Sequence, residues 1–173
     1  QECGYVKNKV MVYEKDILEP SGQALYNLSS CLEDRYLIIN SDTFIDQHNV
    51  LNLLMTDSRS FSIHLGVTFE EDVREGSLVV VDNRGIVTSF TEKPKLEGDT
   101  SGYSYAGIMT IDRTVTECTA VNGVYGNITP DIVASCVGNI SVCDVGAIVD
   151  IGRSVKSYYE AIEKIRRMEN GGY

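Results

Sequence analysis

The chain has 173 residues, and 15 Lys and Arg against 25 Asp and Glu give a net charge of −10. That length suits a single domain over residues 1–173, and 43% hydrophobic with 23% charged residues excludes a disordered chain. No basic cluster offsets the acidity, no apolar run approaches the roughly 18 residues of a membrane span, and Gln1-Glu2-Cys3-Gly4 has no secretory pattern. Neither nucleic acid nor membrane is an expected partner, and a cytoplasmic location is expected.

In chain order, residues 9–13 read as a strand, followed by a polar stretch and Pro20-Ser21-Gly22. Residues 23–32 carry Ala24, Leu25, Leu28, Cys31 and Leu32 at helical spacing. Residues 36–39, Tyr-Leu-Ile-Ile, form a continuous apolar run, the signature of a strand buried on both faces of a parallel sheet. A helix at 50–55 and a strand at 61–69 follow. Residues 77–81 and 86–90, joined by Asp82-Asn83-Arg84-Gly85, read as a β-hairpin. A strand at 107–111, helices at 115–121 and 131–137, a strand at 140–149 and a last helix at 154–168 complete the chain. The expected fold class is α/β: three layers, α/β/α, around a mixed, mostly parallel sheet with an inserted hairpin.

The five cysteines are scattered with no CxxC pair, and only two histidines are present. That pattern fits unpaired thiols in a reducing compartment better than a disulfide framework or a zinc site.

Ligands in open α/β sheets gather at the carboxyl ends of strands. Three charged places fall there: Asp42 after the run at 36–39, Asp150 between Val149 and Ile151, and Glu92-Lys93-Pro94 after the hairpin. Taken singly, each is an ordinary turn or strand exit. Their order carries more. Pro20-Ser21-Gly22, then Leu37-Ile38-Ile39-Asn40-Ser41-Asp42-Thr43, Phe90-Thr91-Glu92-Lys93-Pro94, Tyr105-Ala106-Gly107-Ile108 and Val149-Asp150-Ile151-Gly152 together resemble the sugar-phosphate nucleotidyltransferases over most of the chain. The pattern is most similar to the mannose- or heptose-1-phosphate guanylyltransferase branch.

The resemblance implies an activity: a nucleoside triphosphate, with GTP the expected one, is coupled to a sugar 1-phosphate, releasing pyrophosphate. It implies that Asp42 and Asp150 are catalytic and hold Mg²⁺, a hard ion suited to one or two carboxylates plus phosphate oxygens. It implies that Lys93 is catalytic and binds the sugar phosphate, as a compact cation can. Glu92 is expected to accept from sugar hydroxyls, Gly22 to lie under the base, Gly107 to let the sugar approach the backbone, and Glu14 to read the base.

The chain departs from the family pattern in places. No G-x-G-T-R loop is found, so the first βαβ segment is expected to be lacking, which would leave a sheet edge open to a partner or a second copy. Tyr105 stands where many relatives carry Asn, Asp16-Ile17-Leu18 reads as an insertion, and Arg153 replaces a small residue. The alternative is a non-catalytic nucleotide-sugar-binding or scaffold member of the same fold. A glycosyltransferase would normally show a D-x-D motif, which Ser41-Asp42-Thr43-Phe44 lacks.

Overall fold

The computed structural model describes residues 19–118, 126–151, 158–159, 161–163 and 166. The expected strand at 9–13, Glu14, the insertion at 16–18 and Arg153 lie outside the described residues. Helix α1 (Ser21–Leu28) follows Pro20, which holds the N-cap in extended geometry at ψ 148°, and it tightens into a 3-10 turn, Ser29–Cys31. Strands β1 (Arg35–Ile39) and β2 (Thr43–Phe44) come next. Helix α2 (Gln47–Thr56) is capped by Asp46, whose carboxylate accepts the His48 N–H at 2.8 Å.

Strand β3 (Ile63–Glu70) precedes the expected hairpin, β4 (Ser77–Val81) and β5 (Val87–Glu92). Asp82 sets the hairpin turn by accepting the backbone N–H groups of Arg84 and Ile86, both at 2.9 Å. Then follow β6 (Gly102–Asp112), α3 (Arg113–Cys118), a π-helical turn (Ile128–Val133), β7 (Ile140–Asp144) and β8 (Val149–Asp150). Residues 158–159, 161–163 and 166 are helical, inside the expected last helix. The strand expected at 140–149 is thus two strands with a break between them.

The main sheet has the order β5-β4-β6-β3-β7, and β1 also pairs with β6. Strand β3 occupies one edge of β6 along nearly its whole length, from Ile63↔Ile111 to Glu70↔Gly102. Strands β1 and β4 must therefore share the other edge, β1 against Ile108 to Asp112 and β4 against Tyr103. Both run antiparallel to β6, end to end, and a gap opens between them at residues 105–107.

The expected three layers and inserted hairpin are present, but the sheet is mostly antiparallel, not mostly parallel. Only β3 and β7 pair in parallel among the described strands. An apolar run reports burial and says nothing of strand direction, which explains the error. Nor is β1 buried on both faces: among the described residues it pairs with β6 alone, and Ile39 is 49% exposed.

Alternation along the strands feeds two cores. Leu53 of α2 packs with Ala106, Ile108, Cys143 and Val145 on one face. On the other, Val115 of α3 and Ile132 and Val133 of the π-helical turn join Leu65, Met109 and Ile111. Helix α1 lies against α3 and that turn. No described helix is long and apolar enough to cross a membrane. Among the described cysteines, Cys31, Cys136 and Cys143 are free thiols.

Candidate active site

The gap between β1 and β4 is the place to look for chemistry, because strand ends leave backbone groups and loops free to bind. On the β1 side, the Asn40 N–H donates to the Gly107 carbonyl at 2.8 Å, so the chain stays tied to β6 for one residue past the ladder. It then folds back over Gly107, which has φ +76°, and a Cβ there would sit 2.5 Å from Thr43 Oγ1. Only glycine allows the loop to lie so close. The close approach found at Gly107 is thus made by Thr43 of the chain itself, a contact that no local sequence pattern reveals.

On the β4 side, Ser77 Oγ accepts the Tyr105 N–H at 2.9 Å, and the Ser77 N–H donates to Ser104 Oγ at 3.2 Å. Between the two sides lies a cavity of about 180 Å³ lined by Asn40, Glu75, Gly76, Ser77, Glu92, Tyr105 and Thr129. Glu75 and Thr129 escaped the sequence reading. Thr129 belongs to the π-helical turn, a rare backbone form associated with functional sites, where the sequence pattern signalled a helix only from 131.

The two aspartates are joined through the backbone. Strands β2 and β8 pair antiparallel, with Thr43 opposite Asp150, and the Ile151 N–H donates to the Asp42 carbonyl at 2.8 Å. Residues 108 apart in sequence number thus have neighbouring backbone positions. Asp42 sits in a turn closed by the Thr43 N–H to the Asn40 carbonyl at 3.2 Å, so strand alternation does not dictate where it points. Its side chain is exposed and forms no hydrogen bond or ion pair with the described residues.

Glu92 and Lys93 stand at the other rim. Glu92 is the register partner of Ser77, and the Lys93 N–H donates to the Gly76 carbonyl at 2.7 Å. Lys93 has φ 44°, a left-handed conformation that costs a side-chain-bearing residue energy and persists where the surroundings enforce it. Both side chains are exposed, with no hydrogen bond or ion pair to the described residues.

Tyr105 lines the cavity, and its hydroxyl is buried without a partner among the described residues. Burial first, and the negative charge of Glu92 second, push its pKa well above the ordinary phenol value. It is a neutral O–H group at physiological pH. Gly22 is buried in α1, where its N–H donates to the Gly126 carbonyl at 2.9 Å and a Cβ would collide with that oxygen and with Ile132 Cδ1. The surroundings of Gly22 are therefore the segment that leads into the π-helical turn and Thr129. Among the described residues no three His, Cys, Asp or Glu side chains form a protein-only metal cage. Magnesium does not ask for one: one or two carboxylates suffice when substrate phosphates supply the other ligands. Asp42 and Asp150 fit that donor set.

The sequence matches the nucleotidyl transferase family over residues 6–168. No curated protein sequence matches it. HddC from Yersinia pseudotuberculosis superposes with a TM-score of 0.66 at 20% identity, over 86% of this chain and 64% of that one. The same protein complexed with GMP-PN gives 0.65 at 20% identity, over the same shares. A Bacillus anthracis protein assigned as a glucose-1-phosphate thymidylyltransferase, crystallised with sucrose, gives 0.71 at 20% identity, over 88% of this chain and 63% of that one. The chain spans less than two thirds of the length of these structures, and at such identity the likeness speaks for the fold. The family match covers most of the sequence, and the chain belongs to the nucleotidyl transferase family.

Proposed function

We propose that the cleft couples a nucleoside triphosphate to a sugar 1-phosphate. A phosphate oxygen of the sugar 1-phosphate attacks the α-phosphorus in line, a new P–O bond forms, the α–β bridging bond breaks, and pyrophosphate leaves with the bond's electrons. No general base is needed, because the sugar phosphate is already anionic at neutral pH. GTP is the expected triphosphate; the GMP-PN complex of HddC is in keeping with it.

The observation that carries this reading is the pairing of Thr43 with Asp150 beside a cleft whose other rim is Glu92 and Lys93. Asp42 and Asp150 would hold Mg²⁺, which when bound neutralises charge on the α-phosphate and the leaving pyrophosphate. Lys93 binds the sugar phosphate and offsets the repulsion between two anionic substrates. Glu92 accepts from ring hydroxyls, and Asn40, Ser77 and Thr129 supply further polar contacts. The left-handed backbone of Lys93 is a strained conformation of the kind that persists at binding sites.

The test is pyrophosphate release by the full chain from GTP, UTP and dTTP with a panel of sugar 1-phosphates. Release that depends on Mg²⁺ and disappears in Asp42→Asn supports the reading. Binding of a nucleotide sugar with no release from any triphosphate would replace it with the non-catalytic one.

A further inference from the structure

We infer that a second cavity, at the start of β1 and thus at the other end of that strand from the cleft, binds the anion of a small aliphatic hydroxy acid. Its volume is about 240 Å³, and Arg35, Leu37, Leu54, Asp57, Arg59 and Thr110 are among its lining. That size falls below the range of drug-sized pockets and suits a molecule of a few carbons. The site does not depend on the transfer reading, because none of Asp42, Glu92, Lys93 and Asp150 lines it.

The sheet builds the floor. Arg35 is the register partner of Asp112 and Leu37 that of Thr110, so alternation sets Arg35, Leu37 and Thr110 on one face. Ile108 shares that face and packs with Leu53 of α2, so it is the face that α2 covers. Leu54 comes from α2 itself, and Asp57 and Arg59 from the segment that follows it.

The charges sort by depth. Arg35 is buried and ion-paired with Asp57 and Asp112, so these groups neutralise one another. Arg59 stands exposed at the rim, and its guanidinium forms no hydrogen bond or ion pair with the described residues. Its planar fork matches the two oxygens of a carboxylate. One rim cation calls for one anionic group; a phosphate dianion would bring a second negative charge towards Asp57.

Thr110 supplies the second anchor. It is 3% exposed, and its hydroxyl lies beside the Asp57 carboxylate yet closes no hydrogen bond of good geometry with the described residues. A buried hydroxyl in that state is costly, and a ligand O–H that bonds to it removes the cost. Between the two anchors, Leu37 and Leu54 give an apolar wall for a short carbon chain. The ligand so described carries a carboxylate at one end and a hydroxyl at the other.

The experiment follows amide spectra of the full chain during titration with 4-hydroxybutyrate, butyrate, 1,4-butanediol and inorganic phosphate, at constant pH and ionic strength. 4-Hydroxybutyrate should shift Leu37, Leu54, Arg59 and Thr110 in one saturable step. Butyrate, which lacks the hydroxyl, should bind about threefold or more weakly, and the diol, which lacks the carboxylate, about tenfold or more weakly. Arg59→Gln, a surface change, should weaken 4-hydroxybutyrate about tenfold, and Thr110→Val, which keeps the side-chain shape, should bring it level with butyrate. Shifts confined to other residues, no binding by any probe, or butyrate, diol or phosphate binding as tightly as the hydroxy acid overturns the inference. Undiminished binding in Arg59→Gln does so as well.

Discussion

The two ends of β1 treat charge in opposite ways. At its start, the Arg35 side chain is only 7% exposed and fully engaged. Its Nε and Nη2 donate to the two Asp57 carboxylate oxygens at 2.6 and 2.5 Å, and Nη1 donates to Asp112 at 2.7 Å and to the Phe61 carbonyl at 2.9 Å. A cavity of about 240 Å³ lies beside this end, but its buried ions are already neutralised by each other. Past the other end, Asp42, Glu92 and Lys93 stand exposed, and none has a hydrogen-bond or ion-pair partner among the described side chains. One end uses charge to tie β1, β6 and the segment after α2 together. The other keeps its charged side chains exposed and without a hydrogen-bond or ion-pair partner among the described residues, open to a ligand.

Removing the tie should have the largest effect on folding. Arg35→Met leaves Asp57 and Asp112 without their cation, and breaking such a buried pair costs about 3–5 kcal/mol in urea unfolding. A loss under about 1 kcal/mol would mean the network is ornamental. Asp42→Asn should do the reverse. Pyrophosphate release falls about 100-fold or more, whereas stability moves by no more than about 0.5 kcal/mol. Equal damage to stability in both variants would erase the contrast between the ends.

Gly107→Ala probes the joint between them. Alanine at φ +76° and against Thr43 should cost about 1–3 kcal/mol and reduce activity by lifting the loop that carries Asp42. Unaltered stability would show that the loop does not rest there.

Acid should act on the Arg35 end first. His64 is 3% exposed, its ring nitrogens lie 2.7 Å from Ser141 Oγ and 3.1 Å from Thr56 Oγ1, and burial lowers its pKa below the usual 6.5. The unfolded chain therefore takes up this proton more readily than the folded one, so stability is full above pH 6.5 and declines as pH falls below it. Burial alone would raise the pKa of Asp57, but the Arg35 hydrogen bonds and charge hold it below the usual 3.8, so a second loss follows under that pH. The unfolding free energy of the chain and of His64→Gln, followed from pH 8 to 5, checks the first step, which the variant should lack.

The smallest effect is expected at Lys93. Glycine there relieves the left-handed backbone, and the gain, less glycine's own entropy cost, is about 0.5 kcal/mol of stability. The same Lys93→Gly change should weaken sugar phosphate binding. Stability and binding that fall together would mean the strain has no functional purpose.

Much of this contrast was legible in the residues. The runs at 61–69 and 77–90 fixed β3 and the hairpin, because strand burial and turn chemistry are local. Asp42, Glu92 and Lys93 emerged as strand-end charges, but their roles came from resemblance in their order along the chain. What the sequence could not disclose is non-local. Strand direction depends on which edge of β6 each strand takes, and the cleft exists because β1 and β4 share one edge and part at 105–107. Glu75 and Thr129 reach that gap from segments more than 50 residues apart in the numbering, and no spacing rule joins them.

We propose that Asp42 and Asp150 serve one divalent ion. Manganese offers a direct reading, because it broadens the resonances of nearby nuclei. In amide spectra of the full chain with substoichiometric Mn²⁺, the signals of Asp42, Thr43, Asp150 and Ile151 should broaden together, and Asp42→Asn should abolish the effect at all four. Broadening confined to one of the two segments, or surviving that substitution at residues 150 and 151, would contradict the shared site.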